Sequence, residues 1–145
     1  MKVVIQKSGQ AKVKINGKTH SEIEEGLVIL LGIKTGDTEK DIDYLVEKII
    51  NLRLFEEGEK HFEKSLLEKN KQALVISQFT LYGDCKKGRR PDFVLSARSE
   101  EAKPLYEKFL EKLSEKGIEV KSGIFGAMMD VHLINKGPIT IILES

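Results

Sequence analysis

Ala73-Leu74-Val75-Ile76-Ser77-Gln78-Phe79-Thr80-Leu81 decides how this chain is read. The first four residues are apolar and end in a β-branched pair, as in a strand covered on both faces. Ser77, Gln78 and Thr80 then bring three hydrogen-bonding side chains to the end of that strand. Such groups need partners or a ligand. Behind them runs a loop, Tyr82 to Phe93. Its core, Gly83-Asp84-Cys85-Lys86-Lys87-Gly88-Arg89-Arg90-Pro91, turns by its glycines and proline. Lys86, Lys87, Arg89 and Arg90 stand there against Asp84. A polar pocket followed by a basic loop suits a small reacting group attached to something anionic.

On the N-terminal side, Val3 to Lys7 reads as an opening strand. Ala11 to Ile15 alternates apolar and basic residues, as in a second, half-exposed strand. Asn16-Gly17 predicts a hairpin turn with a return strand toward Ile23. Gly26 to Ile33 is nearly all aliphatic and predicts a central strand. Thr38 is a good helix N-cap, with Asp41 at the third helical position. Ile42, Leu45, Val46, Ile49 and Ile50 then follow helical spacing, and the helix is expected to end near Arg53. Glu56 to Lys71 is charged and reads as irregular, held to the body by Phe62 and Leu66-Leu67.

On the C-terminal side, Ser99-Glu100-Glu101 opens a second helix, with Pro104 expected near its first turn. Ala102, Leu105, Phe109 and Leu113 form the expected buried stripe, and Gly117 a stop. Strands are predicted over Ile118 to Lys121, Phe125 to Ile134 and Ile139 to Leu143. Asn135-Lys136-Gly137-Pro138 reads as a tight turn between the last two. Strands outnumber helices and the order is not strictly βαβ. The expected fold is a single mixed α/β domain over residues 1–145, with two main helices packed on a strongly curved sheet.

Composition narrows the function. The formal net charge is +1, so no global basic field attracts nucleic acid, and any RNA contact must be local. Cys85 is the single cysteine, which rules out an intrachain disulfide framework and fits a reducing cytosol. No signal peptide is evident, and no apolar run approaches the roughly 20 residues of a membrane span. A cytoplasmic location is the expectation. One cysteine and three isolated histidines, without HExxH or CxxC, predict no metal site and no cofactor. His61 reads as a surface histidine. There is no GxSxG elbow or Walker loop.

A further set of residues carries a family resemblance. Ser77 to Leu81, the Gly88-Arg89-Arg90-Pro91 loop and Asn135-Lys136-Gly137-Pro138-Ile139-Thr140 together resemble the D-aminoacyl-tRNA deacylases. The likeness runs from the first strand to the last, through Gly26-Leu27-Val28, Gly36-Asp37-Thr38 and Leu52-Arg53-Leu54-Phe55. It implies the barrel-like fold of that family and a homodimer with its active site at the subunit interface. It implies hydrolysis of the ester in D-aminoacyl-tRNA, and in glycyl-tRNA mischarged on tRNA(Ala). The aminoacylated 3′ end of tRNA is then the partner, and neither DNA nor membrane is expected.

By the same resemblance Ser77, Gln78, Phe79 and Thr80 are catalytic. Two readings of Thr80 remain. Its hydroxyl is a nucleophile, which needs an adjacent base that the sequence does not show. Alternatively, Thr80 is structural, the N–H groups of Phe79 and Thr80 hold the ester carbonyl, and the neighbouring ribose hydroxyl assists or activates water. Gly137-Pro138 is implied to be cis, with its two carbonyls reaching the partner's site and walling off an L side chain. Phe125, Met129 and Ala102 are implied to lie around the adenosine or substrate, though ordinary core packing explains them equally. Lys86, Lys87, Arg89 and Arg90 meet tRNA phosphates, or form a solvated loop ion-paired to Asp84 and Asp92. Departures from the family pattern are Gly83, where alanine is common, and Cys85, where a small polar residue is. Two other functions compete: a non-catalytic nucleic-acid-binding module and a generic small esterase.

Overall fold

The aliphatic run at Gly26 forms the strand on which the sheet is assembled. The computed structural model describes residues 1–145. The elements are β1 (Lys2–Ile15), β2 (Lys18–Ile23), β3 (Gly26–Gly32), α1 (Glu39–Asn51), β4 (Arg53–Glu57), β5 (Lys60–Ser65), β6 (Gln72–Ser77), a 3-10 helix (Phe79–Tyr82), α2 (Ser99–Glu115), β7 (Val120–Ser122) and β8 (Asp130–Glu144). Strands run in the order β2-β1-β3-β6-β7, and β8 adds to the other side of β1. β3 and β6 are parallel neighbours, as are β6 and β7, while β1 is antiparallel to β2, β3 and β8. The result is the mixed α/β architecture expected, a curved, barrel-like sheet with two helices.

Both faces of β3 and β6 are covered, which is why their sequences are continuous rather than alternating. Leu27, Ile29, Leu31, Ala73 and Val75 face the helices, in a core shared with Ile42, Leu45 and Ile49 of α1 and Phe109 and Leu113 of α2. Val28, Leu74 and Ile76 face the other way, against Ala11, Val13 and Ile23. Each buried Val, Leu, Ile or Phe side chain among them contributes about 1.5–3 kcal/mol.

Thr38 caps α1 as expected. The Asp41 carboxylate accepts the Thr38 N–H at 2.7 Å and its hydroxyl at 2.9 Å. The Ser145 hydroxyl and the Thr38 N–H together lower the Asp41 pKa to about 2. α2 starts at Ser99, but Pro104 lies in its second turn rather than its first. Tyr106, not Leu105, completes the buried stripe. Its hydroxyl donates to the Val75 carbonyl at 2.9 Å, which also accepts the Gly123 N–H at 3.1 Å. Because Val75 keeps that second donor, Tyr106→Phe is expected to cost only about 1 kcal/mol in urea unfolding. A loss above about 3 kcal/mol would show that the hydroxyl does more than tie α2 to β6.

Several expected elements are corrected. Val3–Lys7 and Ala11–Ile15 are one continuous strand, because β8 pairs along both halves of β1. Glu56 to Lys71 is not irregular: β4 and β5 form a hairpin, closed by Gly58 at φ +61°. Leu54, Phe55 and Leu66 bury it, and the buried Lys7 is ion-paired to Glu56. Phe62 and Leu67 are exposed and do not hold it down. Phe125 to Met129 is a loop, and the strand begins at Asp130. Asn135 to Pro138 does not reverse the chain. β8 continues through it, passing from Asn135 opposite Ser8 to Thr140 opposite Gln6. Five steps along β8 are thus matched to two along β1, so the extra residues bulge outward.

Candidate active site

The site begins where β6 stops. The Gln78 N–H donates to the Leu31 carbonyl at 2.8 Å, the last rung linking this chain segment to β3. Gln78 then takes φ −143°, ψ 76°, and Phe79–Tyr82 winds into the 3-10 turn. Phe79 to Leu81 therefore does not extend the strand. Gly32 lies under this turn. A Cβ there would sit 3.0 Å from the Leu81 Cβ and 3.2 Å from the Gln78 carbonyl oxygen, so glycine leaves the turn its room.

Hydrogen bonds lock the turn. The Leu81 N–H donates to the Gln78 carbonyl at 3.2 Å and the Gly83 N–H to the Thr80 carbonyl at 2.9 Å. The Ser96 hydroxyl holds the Phe79 carbonyl at 2.9 Å. The Gln78 side-chain amide donates to the Thr80 hydroxyl. With the Gln78 N–H committed to Leu31, the amides that the start of the turn leaves unused are those of Phe79 and Thr80. Phe79 is 56% exposed, with its ring edge-on to Phe93 at 4.9 Å.

This turn forms one wall of a cleft of about 900 Å³. Ser77, Gln78, Phe79 and Thr80 all line it, and Ala102, Phe125 and Met129 line the same cleft. Phe125 packs its ring 5.6 Å from that of the buried Tyr106, which fixes the far wall to α2. The cleft is apolar except at the turn and at Ser96, Arg98, Ser99 and Glu100.

Other predicted residues lie elsewhere. Lys86, Lys87, Arg89 and Arg90 are exposed and do not line the cleft. Their loop is closed by mutual backbone bonds of Asp84 and Asp92, at 2.7 and 2.9 Å. The two carboxylates accept the N–H groups of Lys86 and Val94. The ion pairs that one of the two readings gave these cations, to Asp84 and Asp92, are absent. Gly137 and Pro138 are exposed on the β8 bulge, outside the cleft of their own chain. The peptide bond between them is cis. The Asn135 side chain accepts the Ile139 N–H at 3.3 Å and donates to the Thr140 hydroxyl at 3.0 Å, spanning the bulge.

His61, His132 and Cys85 are exposed, and none lines the cleft. No group of three or more His, Cys, Asp or Glu side chains converges as a metal site would. No helix is long and apolar enough to cross a membrane. Sequence reasoning missed Ser96, Phe93 and Arg98. Ser96 and Phe93 carry no local signal, since their importance comes from contact with the turn. Arg98 had one: it immediately precedes the predicted helix start, beside Ala102.

The chain is similar to known proteins over its whole length. The family model described as D-Tyr-tRNA(Tyr) deacylase matches residues 4–144. A protein of Brevibacillus brevis called D-aminoacyl-tRNA deacylase is 52% identical over 145 residues, all of both chains. One of Aquifex aeolicus with the same description is 50% identical, covering 100% of this chain and 98% of its own. Among solved structures, a c-Myc DNA unwinding element binding protein superposes with TM-score 0.94 at 44% identity, over 100% of this chain and 99% of that one. A probable eukaryotic D-amino acid tRNA deacylase superposes with TM-score 0.85 over 99% and 98%; at 18% identity it speaks for the fold alone. The chain belongs to the D-Tyr-tRNA(Tyr) deacylase family, and the activity that comes with it is D-aminoacyl-tRNA hydrolysis.

Proposed function

We propose that the Ser77–Thr80 turn receives the ester carbonyl of an aminoacyl-tRNA and that backbone amides, not a side-chain nucleophile, do the work there. The observation that carries this is the pair of uncommitted N–H groups, Phe79 and Thr80, at the mouth of the cleft. Donors held in place before charge develops stabilise an oxyanion by roughly 10²–10³ in rate. The attacking group is water, with the vicinal ribose hydroxyl assisting or activating it. The Thr80 hydroxyl is engaged by Gln78 and has no adjacent base among its hydrogen-bond partners. Thr80→Ala is therefore expected to keep kcat within about tenfold of the parent protein. Inactivity in a folded Thr80→Ala, together with an active Thr80→Ser, would restore the nucleophile.

The Gly137–Pro138 bulge supplies the chiral test in this reading. It does not line its own cleft; in this reading it acts in the cleft of a second copy, and the enzyme is a homodimer of the cytoplasm. Two backbone carbonyls facing the substrate α-carbon exclude an L side chain sterically, because main chain cannot swing aside as a rotamer can. An apolar pocket would discriminate by only about 1–3 kcal/mol per methylene. Glycine has no side chain to exclude, so glycyl-tRNA(Ala) is also a substrate.

The decisive experiment compares D-Tyr-tRNA and L-Tyr-tRNA at catalytic enzyme concentration. Rapid loss of the D ester alone is the expected result. Loss of both would keep the hydrolase and remove the backbone wall. A second reading, a non-catalytic nucleic-acid-binding module, draws on the name of the 44% identical DNA unwinding element binding protein. A folded protein that cleaves neither ester would favour it.

A further inference from the structure

Arg98 is the only cation among the side chains that line the cleft, and Glu100 the only carboxylate. The guanidinium is exposed and takes part in none of the chain's ion pairs, Glu100 and Glu101 included. Its backbone is held on both sides. The Ala97 N–H donates to the Ile33 carbonyl at 3.0 Å, and the Arg98 carbonyl accepts the Glu101 and Ala102 N–H groups at 3.0 and 2.8 Å. Two residues earlier, the Ser96 hydroxyl grips the Phe79 carbonyl at 2.9 Å. Arg98 is thus carried on a segment tied directly to the turn that holds the ester, with its charge uncompensated.

An uncompensated guanidinium beside an ester site calls for an anion that every substrate carries. The carboxyl of the amino acid is not available, because it is the esterified group and bears no charge. The amino-acid side chain varies. The constant anion is the phosphodiester on the far side of the terminal ribose. We propose that Arg98 binds this phosphodiester and so sets the depth at which the terminal nucleoside enters the cleft. The assignment rests on the ester-hydrolase reading above. It also moves the principal phosphate contact away from Lys86, Lys87, Arg89 and Arg90, which lie outside the cleft. Arginine suits the role because its planar fork matches two phosphate oxygens.

The test uses two esters of the same D-amino acid: D-tyrosyl-tRNA, and D-tyrosyl-adenosine, which has no phosphate. Arg98→Ala is expected to raise KM for the tRNA ester about tenfold more than for the adenosine ester. The dependence of log KM on log salt should become shallower by roughly 0.7 for the tRNA ester. Arg98→Lys, which keeps the charge, should restore most of the salt dependence. Equal effects on both esters would overturn the assignment, since they would place Arg98 at the ester or in the scaffold. So would a KM for the tRNA ester within about twofold of an active parent protein. A folded parent protein inert toward both esters would remove the hydrolase reading itself, and the Arg98 assignment with it.

Discussion

Phe79→Pro is expected to lower kcat by roughly 10²–10³-fold relative to Phe79→Ala, the scale of one lost oxyanion donor. The comparison isolates a single N–H. Both variants lose the ring that packs on Phe93 at 4.9 Å, so its contribution cancels. Only proline removes the amide. Phe79 is the first residue of its 3-10 turn, where a fixed φ is tolerated and where no helical bond uses the N–H. Gln78, at φ −143° and ψ 76°, lies outside the α region that proline denies its predecessor. The fold should therefore survive, and circular dichroism checks that it does. KM should change much less than kcat, because the donor is aimed at charge that develops in the transition state. A kcat ratio between the two variants within about threefold would refute the backbone-amide mechanism at this position.

The largest stability effect is expected at Gly26, far from the chemistry. A Cβ there would lie 1.8 Å from the Gln72 carbonyl oxygen, 2.7 Å from its carbon and 2.9 Å from its nitrogen. All three are backbone atoms of the parallel neighbour, so no rotamer change relieves the contact. Gly26 pairs with Gln72 at the first rung of the β3–β6 ladder, whose last rung joins Leu31 to Ser77. Gly26→Ala must force these strands apart and disturb side chains packed on both faces. A cost of about 3 kcal/mol or more is expected in denaturant unfolding, at the upper end for overpacking. Gly36→Ala is the control. Gly36 has φ +89° and open space around it, so that variant bears only local backbone strain, of order 1–3 kcal/mol. A Gly26→Ala protein within about 1 kcal/mol of the parent would mean that the close approach relaxes easily.

Gly26 also illustrates the limit of local reading. Its place at the head of an aliphatic run marks the start of a strand. Its necessity comes from Gln72, forty-six residues later, and no local pattern announces that.

What the sequence determined by itself was whatever local pattern and burial decide together. β3, β6 and α1 were legible because their apolar residues repeat at the period of the element that buries them. The Asn16-Gly17 turn was legible because both residues adopt positive φ, 51° and 76°, which these residue types tolerate. The residues around the cleft were legible chiefly through family resemblance, and the fold does gather Ser77 to Thr80 with Ala102, Phe125 and Met129.

Only the tertiary structure decided the rest. Phe79 and Leu81 alternate with polar neighbours like a strand, yet the chain turns there because Gly32 leaves space and Ser96 holds the Phe79 carbonyl. Asn135 to Pro138 has the composition of a reversal, yet both flanks pair with β1, so the segment bulges instead. β4 and β5 show no periodicity, yet Leu54, Phe55 and the neighbouring Leu66 join the main core, which also holds the buried stripes of α1 and α2. Arg98 became part of the site only once Ile33 and Phe79, distant in sequence, fixed the segment that carries it. In each case a hydrogen bond or contact between distant residues outweighed a local preference worth at most about 1 kcal/mol per residue.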